Sequence, residues 1–384
     1  MYSLNNIDKQ NFLSQYWQKK PLVIKQGLID FIDPLDENDL AGLSLEPNID
    51  SRIVSHSNNQ WQVTHGPFDD VNAHCLGAWS LLVQSVDHFI PEADLLMRAF
   101  DFIPHWRMDD LMVSFSNEGA GVGPHLDQYD VFIIQGKGSR RWQVGLPGKF
   151  EQIQPHKDLS QINAFEAVID EILQPGDIIY IPPGHPHNGI ALESCLNYSV
   201  GFRAPSQQEM LSSLADFALD NNVFTQRYTD KQLSLRDFSG EIKQQEIIKF
   251  KELLQQVLST DQFSQWTAEF LSQSVDKQTF EDDERPSFSH QFIIDKLKSG
   301  EEFYRSLAIK PVFIEQELTK TQEFTFYIQG EEYAVPAQDR ELVINFLSQP
   351  IFSCDTNKII NLSVFFTQLL TTLVNSGFWY LEDI

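Results

Sequence analysis

Residues 119–136, GAGVGPHLDQYDVFIIQG, and residues 176–189, GDIIYIPPGHPHNG, are the two stretches that decide the fold. Each combines glycine or proline turns with a short run of β-branched and aromatic residues, a pattern typical of strands. Further short runs, LMVSFS, RRWQVGL and NYSVGF, occupy the chain between Leu111 and Phe202. Many short strands separated by turns indicate a β-barrel or sandwich.

The first stretch carries His125 and Asp127, two metal-ligand types separated by one residue. If this segment is a strand, both side chains lie on one face and can reach the same ion. A lone HxD tripeptide is weak evidence, but the second stretch adds His187 just after a strand. Two imidazoles and one carboxylate are the ligand set of non-haem Fe(II) sites that keep coordination positions open. We therefore predict an Fe(II) site.

His185 competes with His187 for the role of third ligand. It lies between Gly184 and Pro186 on the turn itself, whereas His187 begins the next strand, where a side chain can be directed inward. We predict that His187 is the ligand and that His185 is a histidine at the rim.

Composition restricts the partners of the chain. It has 54 Asp plus Glu against 28 Lys plus Arg, a net charge of -26, which disfavours direct nucleic-acid binding and suits a basic protein. The three cysteines are far apart, so neither a disulfide framework nor a zinc site fits. The N-terminus has no signal-peptide pattern, and no apolar run approaches the roughly 18 residues of a membrane span. We expect a cytoplasmic protein.

The 384 residues suggest two or three domains. Residues 1–205 form the predicted metal-binding domain, with a cap in which Pro21 ends a helix before a strand, and with a barrel core at about 111–203. Residues 206–280 are predicted to be helical, because Ile247, Phe250, Leu254 and Val257 recur at steps of three or four. They serve as a linker or a dimerisation region.

A polar, acidic stretch around Pro286 predicts a boundary near residues 274–290. In residues 281–384, a hairpin with Gly330 at its turn and a helix ending near Gly377 suggest a winged-helix-like domain. Winged helices often bind DNA, but residues 290–384 contain 7 Lys plus Arg against 13 Asp plus Glu, so we expect no DNA binding.

The chain resembles the bacterial JmjC-type ribosomal oxygenases of the cupin superfamily. The resemblance rests on residues 16–26 (YWQKKPLVIKQ), 114–142 around the HxD motif, 165–187 ending in PPGHPH, 196–205 (LNYSVGFRAP) and 374–380 (VNSGFWY). It thus extends over nearly the whole chain, and least clearly over residues 205–330.

The resemblance implies an α+β protein with a jelly-roll core, also called a double-stranded β-helix, behind an N-terminal cap. It implies a helical dimerisation region, hence a homodimer, and a winged-helix-like C-terminal domain. The implied activity uses Fe(II), 2-oxoglutarate and dioxygen to hydroxylate an arginine of a large-subunit ribosomal protein, a basic substrate that the acidic surface suits.

Arg140 is the expected anchor for 2-oxoglutarate. It lies on the strand after the HxD stretch, where related oxygenases carry a lysine or arginine, and its guanidinium can bind a carboxylate with two parallel hydrogen bonds. If Arg140 points inward, Arg141 faces solvent and Trp142 shares the inward side.

Further co-substrate contacts are expected on neighbouring strands. Ser114 and Ser116 share one strand face, and the resemblance places Ser116 beside the co-substrate carboxylate. One of Asn197 and Tyr198 must face the interior, and Asn197 is the candidate, because a buried amide needs polar partners. Glu118, next to the barrel mouth, is a guess for substrate binding.

Three alternatives remain. A small-molecule cupin metalloenzyme usually has HxH followed by Glu, whereas this chain has Asp127 and the anchor Arg140. A JmjC demethylase shares the chemistry but acts on methylated histones, and no chromatin-reading segment accompanies the domain here. A scaffold protein with an inert metal barrel is disfavoured by the intact triad.

Overall fold

The computed structural model describes residues 2–273, 287–307, 309–315, 323–354 and 362–381. The chain divides into two units, Met1–Ala204 and Pro205–Ile384. The first unit contains helices α1 (Lys9–Gln15), α2 (Glu37–Leu43) and α3 (Pro91–Met97). Its strands are β1 (Leu22–Ile24), β2 (Ser51–Ser57), β3 (Gln60–His65), β4 (Ala78–Val83), β5 (Met108–Ser116), β6 (Asp130–Gln135), β7 (Arg140–Gly145), β8 (Gln152–His156), β9 (Leu159–Ile162), β10 (Ala167–Leu173), β11 (Ile178–Ile181), β12 (His187–Ala191) and β13 (Cys195–Phe202).

Residues 2–204 contain two main sheets and a separate two-stranded sheet of β8 and β9. The large sheet has eight strands in the order β1-β11-β6-β13-β5-β4-β2-β3, and the small sheet has three in the order β10-β7-β12. All pairs in both sheets are antiparallel. Two layers of short antiparallel strands confirm the prediction of a barrel or sandwich from the runs between Leu111 and Phe202.

The two sheets enclose an apolar cluster. Its buried members are Val131 and Ile133 of β6, Trp142 and Val144 of β7, Leu173 of β10, and Ile179 and Ile181 of β11. Phe132 and Tyr180, which alternate with these residues, belong to the main core on the opposite face of the large sheet. The two-residue period of a strand therefore separates an inner face from an outer one.

Strands β5 and β13 have the same alternation but a polar inner face. Their outward residues, including Val113 and Tyr198, enter the main core. The intervening positions are Ser114 and Ser116 on β5, and Asn197 and Ser199 on β13. Polar side chains on the inner face of a sheet need partners, so this half of the interior is suited to a ligand rather than to a dry core.

The N-terminal segment contains the predicted helix and strand on either side of Pro21, since α1 ends at Gln15 and β1 begins at Leu22. The expectation of a cap alone is corrected, because β1 pairs with β11 and β4 pairs with β5, so this segment extends the large sheet. No local pattern in the sequence predicts these pairings, since β1 and β11 lie far apart in the chain and residues 84–107 separate β4 from β5.

A buried polar network fixes the start of β6. The Asp130 carboxylate accepts hydrogen bonds from Tyr180 Oη at 2.6 Å, Gln18 Nε2 at 2.9 Å and Arg107 Nη2 at 3.1 Å. Asp130 follows Asp127 by three residues, so the network holds the chain immediately beyond the HxD motif.

The second unit contains helices α4 (Gln207–Asp220), α5 (Gln244–Leu258), α6 (Asp261–Ser272), α7 (His290–Ser299), α8 (Arg340–Ser348) and α9 (Val364–Asn375). Its strands are β14 (Phe303–Arg305), β15 (Phe324–Ile328), β16 (Glu331–Val335), β17 (Ile351–Phe352) and β18 (Trp379–Leu381). Gln329 and Gly330 both have positive φ and close the predicted hairpin β15-β16. The predicted boundary at Pro286 lies outside the described residues.

Helices and strands of the second unit share a core of their own, in which Phe326, Phe346, Phe366 and Trp379 are buried. Helix α9 ends at Asn375, close to the end predicted from Gly377. None of the helices in the described ranges is both long enough and apolar enough to span a membrane.

Candidate active site

A two-residue backbone bridge brings the distant histidines together. The His125 amide donates to the His187 carbonyl at 3.0 Å, and the His187 amide donates to the His125 carbonyl at 3.0 Å. Residues paired in this way project their side chains to the same side of the ladder. The imidazole ring centroids are consequently 4.2 Å apart.

The imidazole nitrogens are orientated by backbone carbonyls. His125 Nδ1 lies 2.9 Å from the Gly123 carbonyl and His187 Nδ1 lies 3.0 Å from the His185 carbonyl. A carbonyl only accepts, so each Nδ1 carries the proton and each Nε2 presents a lone pair. Both Nε2 atoms approach Asp127 Oδ2, at 3.9 Å for His125 and 3.4 Å for His187.

These three side chains form a group that can hold a metal ion, since their ligand atoms all lie within 4.8 Å of one another. His187 is buried, whereas 22% of the His125 side chain and 23% of the Asp127 side chain are exposed. One side of the group is therefore open, which leaves room for further ligands of a bound ion. The group includes His187 and does not include His185.

The protonation states suit metal binding. Burial, reinforced by the neighbouring His187, lowers the pKa of His125 to about 4, so its imidazole is neutral near neutral pH. Burial opposes ionisation of Asp127, but interactions with the surrounding side chains, chiefly His187, outweigh it and lower the pKa of the carboxyl. Neutral imidazoles beside a carboxylate are the forms that ligate metals.

The expectation that His125 and Asp127 share a strand is wrong. His125 forms an isolated bridge, Asp127 lies in the irregular segment before β6, and the Asp127 carbonyl accepts from the Gly184 amide at 2.8 Å. The backbone at Gly121 lies directly against β12 instead of pairing with it in a regular ladder. An added Cβ at Gly121 would lie only 2.2 Å from the Gly189 carbonyl oxygen. The glycines of the motif permit this approach.

Arg140 begins β7 and points into the interior, where it is 4% exposed. Its Nη2 donates to the Gly189 carbonyl at 3.1 Å, and its guanidinium carbon lies 5.2 Å from the centroid of the Trp142 ring. No acidic side chain in the described part of the chain pairs with it, and Nε has no hydrogen-bond partner there. Burial lowers the pKa of Arg140, consistent with a charge that lacks a counter-ion.

Arg141 is on the opposite face of β7, as expected. It is exposed and pairs with Asp170 through Nε at 2.6 Å. Trp142 is buried on the inward side. The alternation predicted for this strand is therefore confirmed.

Two predicted residues hold the Arg140 guanidinium. Its Nη1 donates to Ser116 Oγ at 3.2 Å and to Asn197 Oδ1 at 3.1 Å. Ser116 Oγ is 2.7 Å from Ser80 Oγ. Asn197 faces inward, whereas Tyr198 enters the main core.

One cavity joins these features. Its lining includes His125, Asp127, His187, Arg140, Ser114 and Asn197. Ser116 is fully buried outside the lining and contacts two residues that do line the cavity, Arg140 and Ser80. Glu118 is exposed in the turn after β5 and lies outside the lining. His185 lies on the turn but is 4% exposed, so the expected position at the rim is corrected.

Comparison with known proteins places this site in a family. Residues 95–210 match the model of a JmjC domain. The chain is 42% identical over 373 residues to the ribosomal protein uL16 3-hydroxylase of Escherichia coli (strain K12), covering 97% of each. The chain belongs to the JmjC-type ribosomal oxygenases.

Two further comparisons also show similarity to this chain. A probable ribosomal oxygenase of Haemophilus influenzae is 38% identical over 214 residues, covering 55% of this chain and 53% of that one. The structure of YcfD, a ribosomal oxygenase from E. coli in complex with cobalt and 2-oxoglutarate, is 41% identical, with a TM-score of 0.87 and complete coverage of both chains.

Sequence reasoning missed five polar residues that line the same cavity: Ser80, Gln84, Asp110, Tyr129 and Ser199. Asp110 could have been predicted, because it lies on β5 at the same two-residue period as Ser114 and Ser116. Tyr129 follows the HxD motif by two residues, and burial together with the nearby Asp127 charge raises the pKa of its phenol. Gln84 follows the end of β4 and carries no signal in the sequence.

The assignment of His187 as a metal ligand can be tested by substitution. We expect His187→Ala to weaken Mn(II) binding by at least about a hundredfold, because it removes one of three ligands from a preformed site. His185→Ala should leave the affinity close to wild type, since only its backbone carbonyl orients His187. Isothermal titration calorimetry measures both, and an equal loss in the two variants would contradict the assignment.

Proposed function

We propose that this chain is an Fe(II)- and 2-oxoglutarate-dependent oxygenase that hydroxylates an arginine of a large-subunit ribosomal protein. The proposal rests on one cavity that contains both a two-histidine, one-carboxylate group and a buried guanidinium without an acidic partner among the described residues. The E. coli relative carries the name uL16 3-hydroxylase, which makes uL16 the first substrate to test.

The metal ligands would be His125, Asp127 and His187. The lone pairs of two imidazoles and one carboxylate converge from one side, and the other side is open. This donor set suits non-haem Fe(II), whereas a structural zinc ion would require a fourth protein ligand.

The co-substrate would be held by Arg140. A buried cation without a counter-ion costs free energy that the distal carboxylate of 2-oxoglutarate would offset, and the free Nε adds a donor for it. Ser116 and Asn197 hold the guanidinium, and Ser114 lines the cavity beside it. Gly189 keeps the space open, because an added Cβ there would come within 2.7 Å of Arg140 Nε.

Bound iron with 2-oxoglutarate and dioxygen supplies an oxidant that can hydroxylate an unactivated carbon. The chain positions the reactants and excludes water. Val131, Ile133 and Trp142 give the cavity an apolar wall. Tyr129 lines the cavity near Asp127 and would help to orient that carboxylate.

Asp110 is our candidate for binding the substrate arginine. The Ser85 amide donates to Asp110 Oδ2 at 3.0 Å and the Ser85 hydroxyl donates to the same oxygen at 3.3 Å. The Gln84 amide oxygen is buried and has no hydrogen-bond partner in the described structure. A guanidinium has five N–H donors and no acceptor, so a cavity wall that offers acceptors favours it.

Helices α4 to α6 would form the dimerisation region. None of the residues of α5 is buried in the single chain, and Ile247, Phe250, Leu254 and Leu258 are exposed along it at helical spacing. Such a stripe is costly in water, and a second copy of the chain would cover it.

The region around α7, the hairpin β15-β16, α8 and α9 would be the winged-helix-like domain. Its acidic excess favours a protein partner over nucleic acid. A ribosomal substrate and three free cysteines are consistent with a cytoplasmic protein.

Turnover tests the proposed activity. We expect wild-type protein with Fe(II), 2-oxoglutarate and uL16 to form succinate, and His125→Ala to form none. Arg140→Ala should raise the KM for 2-oxoglutarate by about tenfold or more, because the carboxylate loses its ion pair. Arg141→Ala is the matched control and should behave as wild type. Absence of succinate from wild-type protein with a panel of ribosomal proteins would exclude the activity.

The pH dependence of substrate binding tests Asp110. Burial, then the charges of Asp87 and Asp109, raise the pKa of Asp110 to about 6. The carboxylate is ionised above that pH and attracts an arginine, so binding of an arginine-containing uL16 peptide should weaken as the pH falls through about 6. Asp110→Asn should bind weakly at all these pH values. Equal pH dependence of the variant and wild type, measured by fluorescence anisotropy, would contradict the role.

The dimer is tested by light scattering. We expect wild-type protein to have twice the chain mass at micromolar concentration. Leu254→Lys should shift it toward the monomer, because a charge in an apolar interface is unpaired. Gln255→Lys, an exposed substitution on the same helix, is the control. A monomeric wild-type mass would refute the dimer.

A further inference from the structure

The side-chain amide of Asn197 lies between two polar partners of opposite character. Its Oδ1 accepts from Arg140 Nη1 at 3.1 Å, and its Nδ2 donates to Gln135 Oε1 at 2.8 Å. An amide has one accepting end and one donating end, so both bonds form in only one of its two orientations. The flipped amide would place its NH2 group against the guanidinium, donor against donor.

The surroundings of Gln135 fix which orientation is present. Its Nε2 lies 3.2 to 3.5 Å from four backbone carbonyl oxygens, those of Gly136, Lys137, Gly138 and Leu196. An amide oxygen in that position would face only acceptors. Gln135 is fully buried, so water does not replace these bonds. The carbonyls therefore hold Nε2 and direct Oε1 toward Asn197.

A second donor acts on the same side of Asn197 as the guanidinium. Cys195 Sγ lies 3.8 Å from Asn197 Oδ1, a weak sulfur hydrogen bond. The oxygen end of Asn197 thus faces donors and its nitrogen end faces Gln135. With no acidic partner for Arg140 in the described structure, its direction depends on neutral oxygens, those of Asn197, Ser116 and Gly189.

We propose that Gln135 is a positioning residue for 2-oxoglutarate, which acts through the Asn197 amide to hold the Arg140 guanidinium in the direction that receives the distal carboxylate. Gln135 does not itself line the cavity among the residues that the structure describes there. This inference rests on the proposed function, because it assigns the cavity beside Arg140 to that co-substrate.

The consequence is a loss of binding without a loss of the metal site. Gln135→Met keeps similar volume but removes the acceptor of Asn197 Nδ2, so the orientation of the Asn197 amide is held only by the donors on its oxygen side. We expect 2-oxoglutarate to bind about tenfold more weakly, the cost of one buried hydrogen bond to a charged group. Gln143→Met is the matched control. Gln143 lies on the outer face of β7, where its side chain donates to the exposed Asp170 of β10.

Calorimetry without turnover separates the outcomes. 2-Oxoglutarate is titrated into each protein loaded with Mn(II) in the absence of dioxygen, after Mn(II) affinity has been measured as a check that the site is folded. We expect unchanged Mn(II) binding in both variants and weaker 2-oxoglutarate binding only in Gln135→Met. Should Gln135→Met fail to bind Mn(II), Gln135→Leu takes its place.

A double-mutant cycle tests the route through Asn197. If Gln135 acts only through that amide, Asn197→Ala and the double variant Asn197→Ala with Gln135→Met have the same 2-oxoglutarate affinity. Additive losses, or wild-type affinity in the folded Gln135 variant, would overturn the inference. If the wild-type protein itself does not bind 2-oxoglutarate, the proposed function fails instead.

Discussion

The backbone bridge between His125 and His187 is the constraint on which the rest of the site depends. The two residues are distant in sequence, and a pair of 3.0 Å hydrogen bonds joins their peptide groups. Both imidazoles then project to one side. The Asp127 carboxylate, from the segment just before β6, completes the group. The buried network at Asp130 fixes the start of β6.

The interior between the sheets is divided by chemistry as well as by position. Where β6 and β11 face the small sheet the interior is apolar, and where β5 and β13 line it the interior is polar. Arg140 lies in the polar half as a buried cation held by neutral oxygens alone among the described residues. Such an arrangement lowers stability, and it becomes favourable when an anion binds.

Much of this architecture could be predicted from the sequence because the signals are local. Short strands between turns predicted the layered β fold, the two-residue period predicted the directions of Arg140, Arg141 and Trp142, and the hairpin at Gly330 followed from its turn. The strand predicted for the HxD motif was wrong, because glycines such as Gly121 permit a close approach that regular pairing does not provide. The roles of the site residues stay predictions.

What could not be predicted depends on contacts between distant segments. The pairing of β1 with β11 and of β4 with β5 has no local signature, so the N-terminal strands were expected only as a cap. Gln84 and Gln135 are ordinary amides in the sequence. Only the fold shows that the Gln84 side-chain oxygen has no hydrogen-bond partner among the described residues and that Gln135 Nε2 is surrounded by carbonyls. Asp110, by contrast, could have been predicted, because the two-residue period of a strand places it on the same face as Ser114 and Ser116.

The central claim is that this chain adds oxygen to an arginine of a ribosomal protein. The most direct test is the intact mass and peptide map of uL16 from cells that carry the gene, cells that lack it, and deletion cells that express His187→Ala. The account predicts one additional oxygen atom on an arginine-containing uL16 peptide only where the wild-type gene is present. An unmodified uL16 in all three, or a modification that persists without the gene, would contradict it.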